Sequence, residues 1–561
     1  MSPFGEITND FTVLRGALMN QFKTVQVLLS LCWMVGCAET ASSEKTSEPS
    51  ASSPTENENT DLDDSGANEE DNENNENNND PTDPEDEDGS DTTPDSLTDT
   101  PLSDAPVQLY NNERRADSGS LFATLDVDGD ALPDLLIGEK GVDHNSFNNA
   151  GRIVIFLGKN HEFSQGNVNT NAADITVYGD EEHQQLGQGA YNLGDLDNDG
   201  TDELGFIFFR KALIFWGSTL AAGGTFEVNN ADLIITRDKT STSASEKINS
   251  IQNMGDLNGD GIDDLLVAAG GSPSRAMALF SGNDLQEGGQ VDFTQSLSLW
   301  EHTDGSPAAL LNIGDINTGG KNDFLVGMPS AWSSGPGSLS DAGQVLLFLG
   351  ENLSFGSQDF STADAVFTGA NENDEIGTRL ISAGDIDGDG LNDILLASPE
   401  RDLCDGSSCR REGAIHLVLA NNLPLSGSVT LNSITKRTIH GDEQDDQIGT
   451  FVSAVGDVDG DQKGDILIGN PEAVHVAEDN QVFGQGKAVL ISGDTLLNHT
   501  TSTLSWNTGI SFFAENDGDE AGPVAGLGDL NGDNKPDFII GAPEAEGPNE
   551  EGGVSYLFLG E

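Results

Sequence analysis

The sequence predicts an all-β fold, one seven-bladed β-propeller spanning residues 106–561. Two observations predict it. An Asp-rich nine-residue loop recurs seven times: at Asp126 (DVDGDALPD), Asp195 (DLDNDGTDE), Asp256 (DLNGDGIDD), Asp315 (DINTGGKND), Asp385 (DIDGDGLND), Asp457 (DVDGDQKGD) and Asp529 (DLNGDNKPD). The starts lie 69, 61, 59, 70, 72 and 72 residues apart, too far for tandem calcium hairpins and right for one four-stranded unit per repeat. Each interval also carries four short apolar or alternating runs of strand length.

We letter the strands A to D from the propeller axis outward. The D runs precede a polar turn: VQLY from Val107, ITVYG from Ile175, LIITR from Leu233, LSLWE from Leu297, AVFTG from Ala365, RTIHG from Arg437 and ISFFA from Ile510. The A runs are small and apolar and lead into the Asp loop, as in RLISAGD, TFVSAVGD and PVAGLGD. The B runs leave it (DLLIG, DFLVG, DILIG), and the C runs follow, from GRIVIFLG at Gly151 to GVSYLFLG at Gly553. The chain therefore enters on a D strand at Val107 and ends on a C strand at Leu559. The first strand is expected to complete the last blade and close the ring without an exposed sheet edge. No segment shows a sustained helical apolar period.

The loop carries the chemistry. In the copy at Asp385, carboxylates stand at positions 1, 3, 5 and 9, with Gly390 at position 6 where the chain turns sharply. Carboxylates so close repel one another unless a hard cation sits among them, and an all-oxygen set suits calcium. An EF-hand needs flanking helices and a bidentate Glu at position 12; here position 12 is apolar in every copy (Ile137, Phe206, Val267, Val326, Leu396, Ile468, Ile540).

Charge narrows the partners. With 24 Lys plus Arg against 97 Asp plus Glu, a net charge of −73 argues against nucleic acid or an anionic membrane surface, both of which need a basic footprint.

The N-terminus reads as a targeting segment. Met19 is an alternative start; a short n-region with Lys23 leads into an apolar stretch from Val25 to Val35 that is too short to span a bilayer. It ends in Met34-Val35-Gly36-Cys37, which resembles a bacterial lipobox and implies lipidation of Cys37 after removal of residues 1–36. An ordinary secretory signal with an incidental Cys is the alternative, and both readings export the protein. Residues 38–105 hold 23 acidic residues, one basic residue and no aromatic, and are expected to form a disordered, self-repelling linker with a reach of roughly 45 Å. Cys404 and Cys409, in DLCDGSSCRRE, are expected to form a local disulfide.

The GDxDGDGxxD loops, the GAP-like turn after strand B (Gly541-Ala542-Pro543-Glu544, also Ser398-Pro399-Glu400 and Asn470-Pro471-Glu472) and the Leu/Ile-Gly step before strand A (Leu186-Gly187, Ile376-Gly377, Ile448-Gly449) resemble FG-GAP repeats. Such repeats build the N-terminal propeller of integrin α subunits and occur in many bacterial surface proteins. This sequence departs from the integrin pattern in carrying calcium loops in nearly every blade and in lacking leg domains. The resemblance implies calcium ligands at positions 1, 3, 5 and 9, with the carbonyl of position 7. Blade 1 then offers Asp126, Asp128, Asp130 and Asp134; blade 2 Asp195, Asp197, Asp199 and Glu203; blade 3 Asp256, Asn258, Asp260 and Asp264. Blade 5 offers Asp385, Asp387, Asp389 and Asp393; blade 6 Asp457, Asp459, Asp461 and Asp465; blade 7 Asp529, Asn531, Asp533 and Asp537. Blade 4 keeps Asp315, Asn317 and Asp323 but has Gly319 at position 5, so a weak or empty site is expected there.

No HExxH, G-x-S-x-G or phosphate-binding glycine loop is present, and His416 and His440 fall in predicted strands, where a structural role is expected. On the face opposite the Asp loops, the long B to C loops of blades 4 to 6 offer Trp332, Arg401, Arg410, Arg411 and His475 as contact residues. The expectation is a monomeric, non-enzymatic, calcium-stabilised propeller with about six structural calcium ions. It would be a lipoprotein of a bacterial outer membrane or cell surface, held to the membrane by its N-terminal lipid only, and would bind an extracellular protein or glycan in adhesion. Two alternatives stand beside it: a polysaccharide-acting propeller enzyme and a scaffold subunit of an envelope complex.

Overall fold

A computed structural model describes residues 100–560 apart from single positions and short loop stretches, the longest being 239–246 and 332–338. The signal segment, Cys37 and the linker as far as residue 99 lie outside the described residues. So do Trp332 and the side chains of Cys404, Cys409, Arg410 and His475. Among the described residues no helix is long and apolar enough to cross a membrane.

Seven sheets form the propeller. In blade 1, strand A is Ser118–Leu125, B is Asp134–Glu139, C is Arg152–Phe156 and D is Ile175–Tyr178, each antiparallel to the next. Strands B are buried at every position in six blades, and strands C nearly so, because each sheet is covered on both faces by its neighbours. Strands D alternate buried and half-exposed residues, as at the rim of a layer. The hydrophobic core accordingly falls into seven layers, one at each junction between neighbouring blades, including the junction of blades 7 and 1.

The ring closes as the strand count predicts. Val107–Tyr110 pairs antiparallel with Val554–Phe558 and supplies strand D of blade 7. One feature was not legible: every sheet has a fifth, outermost strand, E, running parallel to D and contributed by the next repeat. Gly224–Glu227 pairs with Ile175–Tyr178 in this way, and Gly289–Asp292 with Leu233–Thr236. For blade 6 the strand comes from the start of the described chain, where Thr100–Pro101 runs beside Ile510–Phe513. Leu102 then buries completely in the layer between blades 6 and 7. Residues 100–105, expected to be the end of the linker, are therefore part of the propeller.

Two contacts hold neighbouring blades in register. In blades 2 to 4 an Asn just before the Gly-Asp step donates to a carbonyl of the preceding blade: Asn192 to Thr124 at 3.0 Å, Asn253 to Leu193 at 2.8 Å and Asn312 to Asn253 at 3.2 Å. Elsewhere glycine allows direct backbone approach. A Cβ on Gly541 would stand 2.1 Å from the Gly119 carbonyl oxygen of blade 1. Gly541→Ala is expected to destabilise the fold by about 2 kcal/mol through this clash, read as a lower denaturant midpoint at unchanged m-value.

Candidate metal centre

Each Asp loop joins strands A and B at one end of the propeller, and its hydrogen bonds explain why the spacing is kept. In blade 5 the position 1 carboxylate of Asp385 accepts from Gly388, Asp389 and Gly390 N–H at 2.7, 2.9 and 2.9 Å, winding the loop around itself. Asp389 at position 5 accepts from Leu391 N–H at 2.9 Å. The turn needs a left-handed residue at position 6, where Gly390 has φ +91°. Blades 1, 6 and 7 place Ala131 (φ 67°), Gln462 (φ 68°) and Asn534 (φ 67°) there instead. Ala131→Gly is expected to raise stability by about 1 kcal/mol by relieving that conformation, measurable as a higher Tm.

Position 9 does more than the sequence suggested. Asp393 is buried; one oxygen accepts from Ile386 N–H within the loop at 3.0 Å, the other from Ala420 N–H in the turn after strand C at 2.9 Å. The same two-sided clamp is made by Asp134 to Val127 and Gly158, Asp465 to Val458 and Gly493, and Asp537 to Leu530 and Gly560. Glu203 makes it to Leu196 and Gly217, and Asp323 to Ile316 and Gly350. Burial pushes these carboxyls up despite the N–H bonds, and neighbouring carboxylates add to the rise. Asp134 and Asp264 reach about 7, Glu203 about 8, and Asp323, Asp393 and Asp465 about 6; Asp537 is raised as well.

The loops converge to different degrees. In blades 1, 2, 5 and 6, oxygens of three carboxylates lie within 4.8 Å of one another: Asp126, Asp128 and Asp134; Asp195, Asp197 and Asp199; Asp385, Asp387 and Asp393; Asp457, Asp459 and Asp465. These sets fit a hard divalent cation. Two of their oxygens, Oδ1 of Asp128 and Oδ1 of Asp457, are buried with no hydrogen-bond partner, acceptors left open in the interior of a carboxylate cluster. Asp130, Asp389 and Asp461 stand beside their trios, and Glu203 beside that of blade 2.

In blade 3 the amide of Asn258 donates to Asp260, Asp264 and Ser281 at 2.9 to 3.0 Å, and Asp256 accepts the loop N–H groups. In blade 7 Asn531 donates to Asp533 at 3.3 Å, and Asp529 binds the N–H groups of Asp533 and Asn534. Blade 4 has no three-carboxylate set among the described residues. There Asn317 donates to Glu351 at 2.8 Å, and the Glu351 carboxylate lies 2.5 Å from where a Cβ on Gly319 would be. A side chain from the turn after strand C thus enters the space that position 5 leaves open. Only a comparison of that turn across the seven repeats could have revealed it.

On the opposite face, Arg401 pairs with Asp374 at 3.2 Å, and Arg411 with Glu400 at 3.4 Å and Asp445 at 3.1 Å. The backbone sets Cys404 opposite Cys409 in a two-stranded ladder. His416 is buried, receives or donates a hydrogen bond with Thr438 at 3.0 Å, and is pushed down to about 4 by burial. His440 is half-buried beside the Gly441 carbonyl.

The FG-GAP repeat family matches residues 118–156 and 521–558, each match covering strands A to C of one blade with its loop. Integrin alpha pat-2 of Caenorhabditis briggsae is 27% identical over 241 residues, 38% of this chain and 17% of that protein. Integrin alpha-IIb of Mus musculus is 36% identical over 86 residues, 15% of this chain and 8% of that protein. Integrin alpha-PS2 of Drosophila melanogaster is 28% identical over 208 residues, 36% of this chain and 13% of that protein. The chain spans less than a fifth of the length of these relatives. A solved structure of BBS1N in complex with ARL6DN aligns over 81% of this chain and 94% of its own at 7% identity, with a TM-score of 0.41. With the repeated loop, the closed seven-blade ring, the family matches and the integrin α relatives together, the chain is an integrin-α-like β-propeller that carries FG-GAP repeats at residues 118–156 and 521–558.

Proposed function

We propose that this chain is a calcium-stabilised, cell-surface-anchored propeller that binds an extracellular protein or glycan in adhesion. The observation that carries the calcium reading is the set of carboxylate trios in blades 1, 2, 5 and 6, two of which hold a buried oxygen with no protein partner. Calcium there neutralises the loops and stiffens the A to B end. The ligand-binding role rests on the likeness to integrin α subunits, and the anchor on the lipobox-like Cys37.

The test is retention of the full chain on glycan, matrix-protein and bacterial-surface arrays, with calcium and with chelator. Calcium-dependent retention on one class of surface is the expected result. A folded sample that is retained on none of them counts against the adhesive role.

A further inference from the structure

In every repeat the turn after strand C is clamped to the Asp loop through position 9, and in blades 1, 4 and 5 the residue that follows the clamped N–H reaches the side chains of that loop. In blades 1 to 6 these residues are Lys159, Ser218, Asn283, Glu351, Asn421 and Asp494, and among them Lys159 alone is basic. Its neighbours show what the position can do. Asn421 donates to Asp389 at 2.9 Å and Asp387 at 3.4 Å in blade 5, and Glu351 reaches the loop of blade 4.

In blade 1 the ammonium group of Lys159 donates directly to Oδ2 of Asp128, a member of the carboxylate trio whose side chain is only 3% exposed. The hydrogen bond with Asp128, with the charges of Asp128, Asp130 and Asp134, pushes the Lys159 ammonium group above its ordinary range. Lys463 of blade 6 differs: its ammonium group pairs with Asp461 at 3.3 Å and Asp494 at 2.5 Å, both outside the trio of Asp457, Asp459 and Asp465.

We propose that Lys159 is a built-in counter-ion, whose ammonium group takes the place of the divalent ion among Asp126, Asp128 and Asp134 and keeps blade 1 neutralised when calcium is scarce. A monovalent ammonium and a divalent ion cannot share so small a cluster without strong repulsion. Blade 1, which carries the full set of position 1, 3, 5 and 9 carboxylates, then binds calcium more weakly than blade 5, which carries the same set but has Asn421 in the turn. The inference rests on the calcium reading above.

The experiment counts calcium ions bound per full-length chain by equilibrium dialysis, on the wild type and on Lys159→Asn, Asn421→Lys and Asp389→Asn. At a free calcium concentration that fills blade 5 but not the weaker blade 1, the expected results are one ion gained by Lys159→Asn and one lost by Asn421→Lys. Equal counts for the wild type and Lys159→Asn, or an unchanged count for Asn421→Lys, overturn the counter-ion role. If Lys159→Asn does not fold, the transplanted lysine in blade 5 decides alone. Asp389→Asn separates the two readings: a wild type that binds no calcium and is unaffected by this change overturns the calcium reading, and the counter-ion role with it.

Discussion

Removing calcium is expected to lower the Tm of the folded chain by an amount on the order of 8 °C. Extracellular calcium modules bind with dissociation constants of about 0.1 to 1 mM. At about 1 mM calcium, a site of about 0.1 mM adds roughly 1.4 kcal/mol by mass action, so five or six sites contribute roughly 7 to 8 kcal/mol. For a propeller of this size, an unfolding entropy of about 2.1 cal/mol/K per residue converts that into a shift of roughly 8 °C. Differential scanning calorimetry with calcium and with a chelator reads it directly, and an unchanged Tm on chelation would refute the structural role of the ion.

The same scan at several pH values has a definite sign. Without calcium, the position 9 carboxyls sit well above their ordinary range because they are buried among other carboxylates. The native state then holds protons that the unfolded chain has released, so stability is greatest below about pH 4 for these groups. It is lost as pH rises toward 6 to 8. Dispersed surface carboxylates on a chain of net charge −73 push the same way. Calcium should flatten this slope specifically, because the bound cation favours the ionised form.

The second large effect is expected at Arg152. Glu139 at the end of strand B is fully buried and meets Arg152 of strand C at 2.5 Å; Asn111 also donates to it at 2.8 Å. Arg152 is itself only 3% exposed and reaches Tyr178 at 3.2 Å, where His144 stacks on the ring at 3.9 Å and bonds Glu227 at 2.8 Å. Arg152→Ala leaves a buried carboxylate without its cation, and a loss of about 3 to 5 kcal/mol is expected in chemical denaturation. Replacing both partners, as Arg152→Met with Glu139→Leu, is expected to recover most of that loss, since desolvating two charges nearly offsets their attraction. A double variant as unstable as the single would show that shape, rather than charge, holds this corner.

That pair also marks where the sequence ceased to be legible. Apolar runs such as DLLIG and GRIVIFLG announce strands because both faces of a blade's middle strands are covered, and the phase of those runs was enough to foresee the closing strand at Val107. Glu139 and Arg152 look like strand-end surface residues, yet both are buried, and Glu139 is also bonded by Asn111, which lies 28 residues earlier, just after the strand that closes blade 7. The outer E strands were invisible for a related reason. Gly224–Glu227 and Gly166–Asn169 are mostly polar or exposed and are held by backbone pairing to strand D, a bond that leaves no apolar period. The loops were readable to the residue because their repeated carboxylate spacing stands out in the sequence, whereas Lys159 and Glu351 lie in a turn some thirty residues on in the sequence and reach them only through the fold.

The way the described chain begins bears on how force would pass through it. Thr100–Pro101 runs at the rim of blade 6, and a few residues later Val107–Tyr110 is at the rim of blade 7, gripped on one side by Val554–Phe558 and on the other by Gly166–Asn169. A pull on the N-terminal side, directed along these strands, loads several hydrogen bonds at once in shear and divides the tension between two blades. The Asp loops lie off that line, on A to B turns near the axis. A tether on the N-terminal side would therefore hold the propeller by its outer edge, like a wheel hung from its tyre, and leave its two flat faces unloaded.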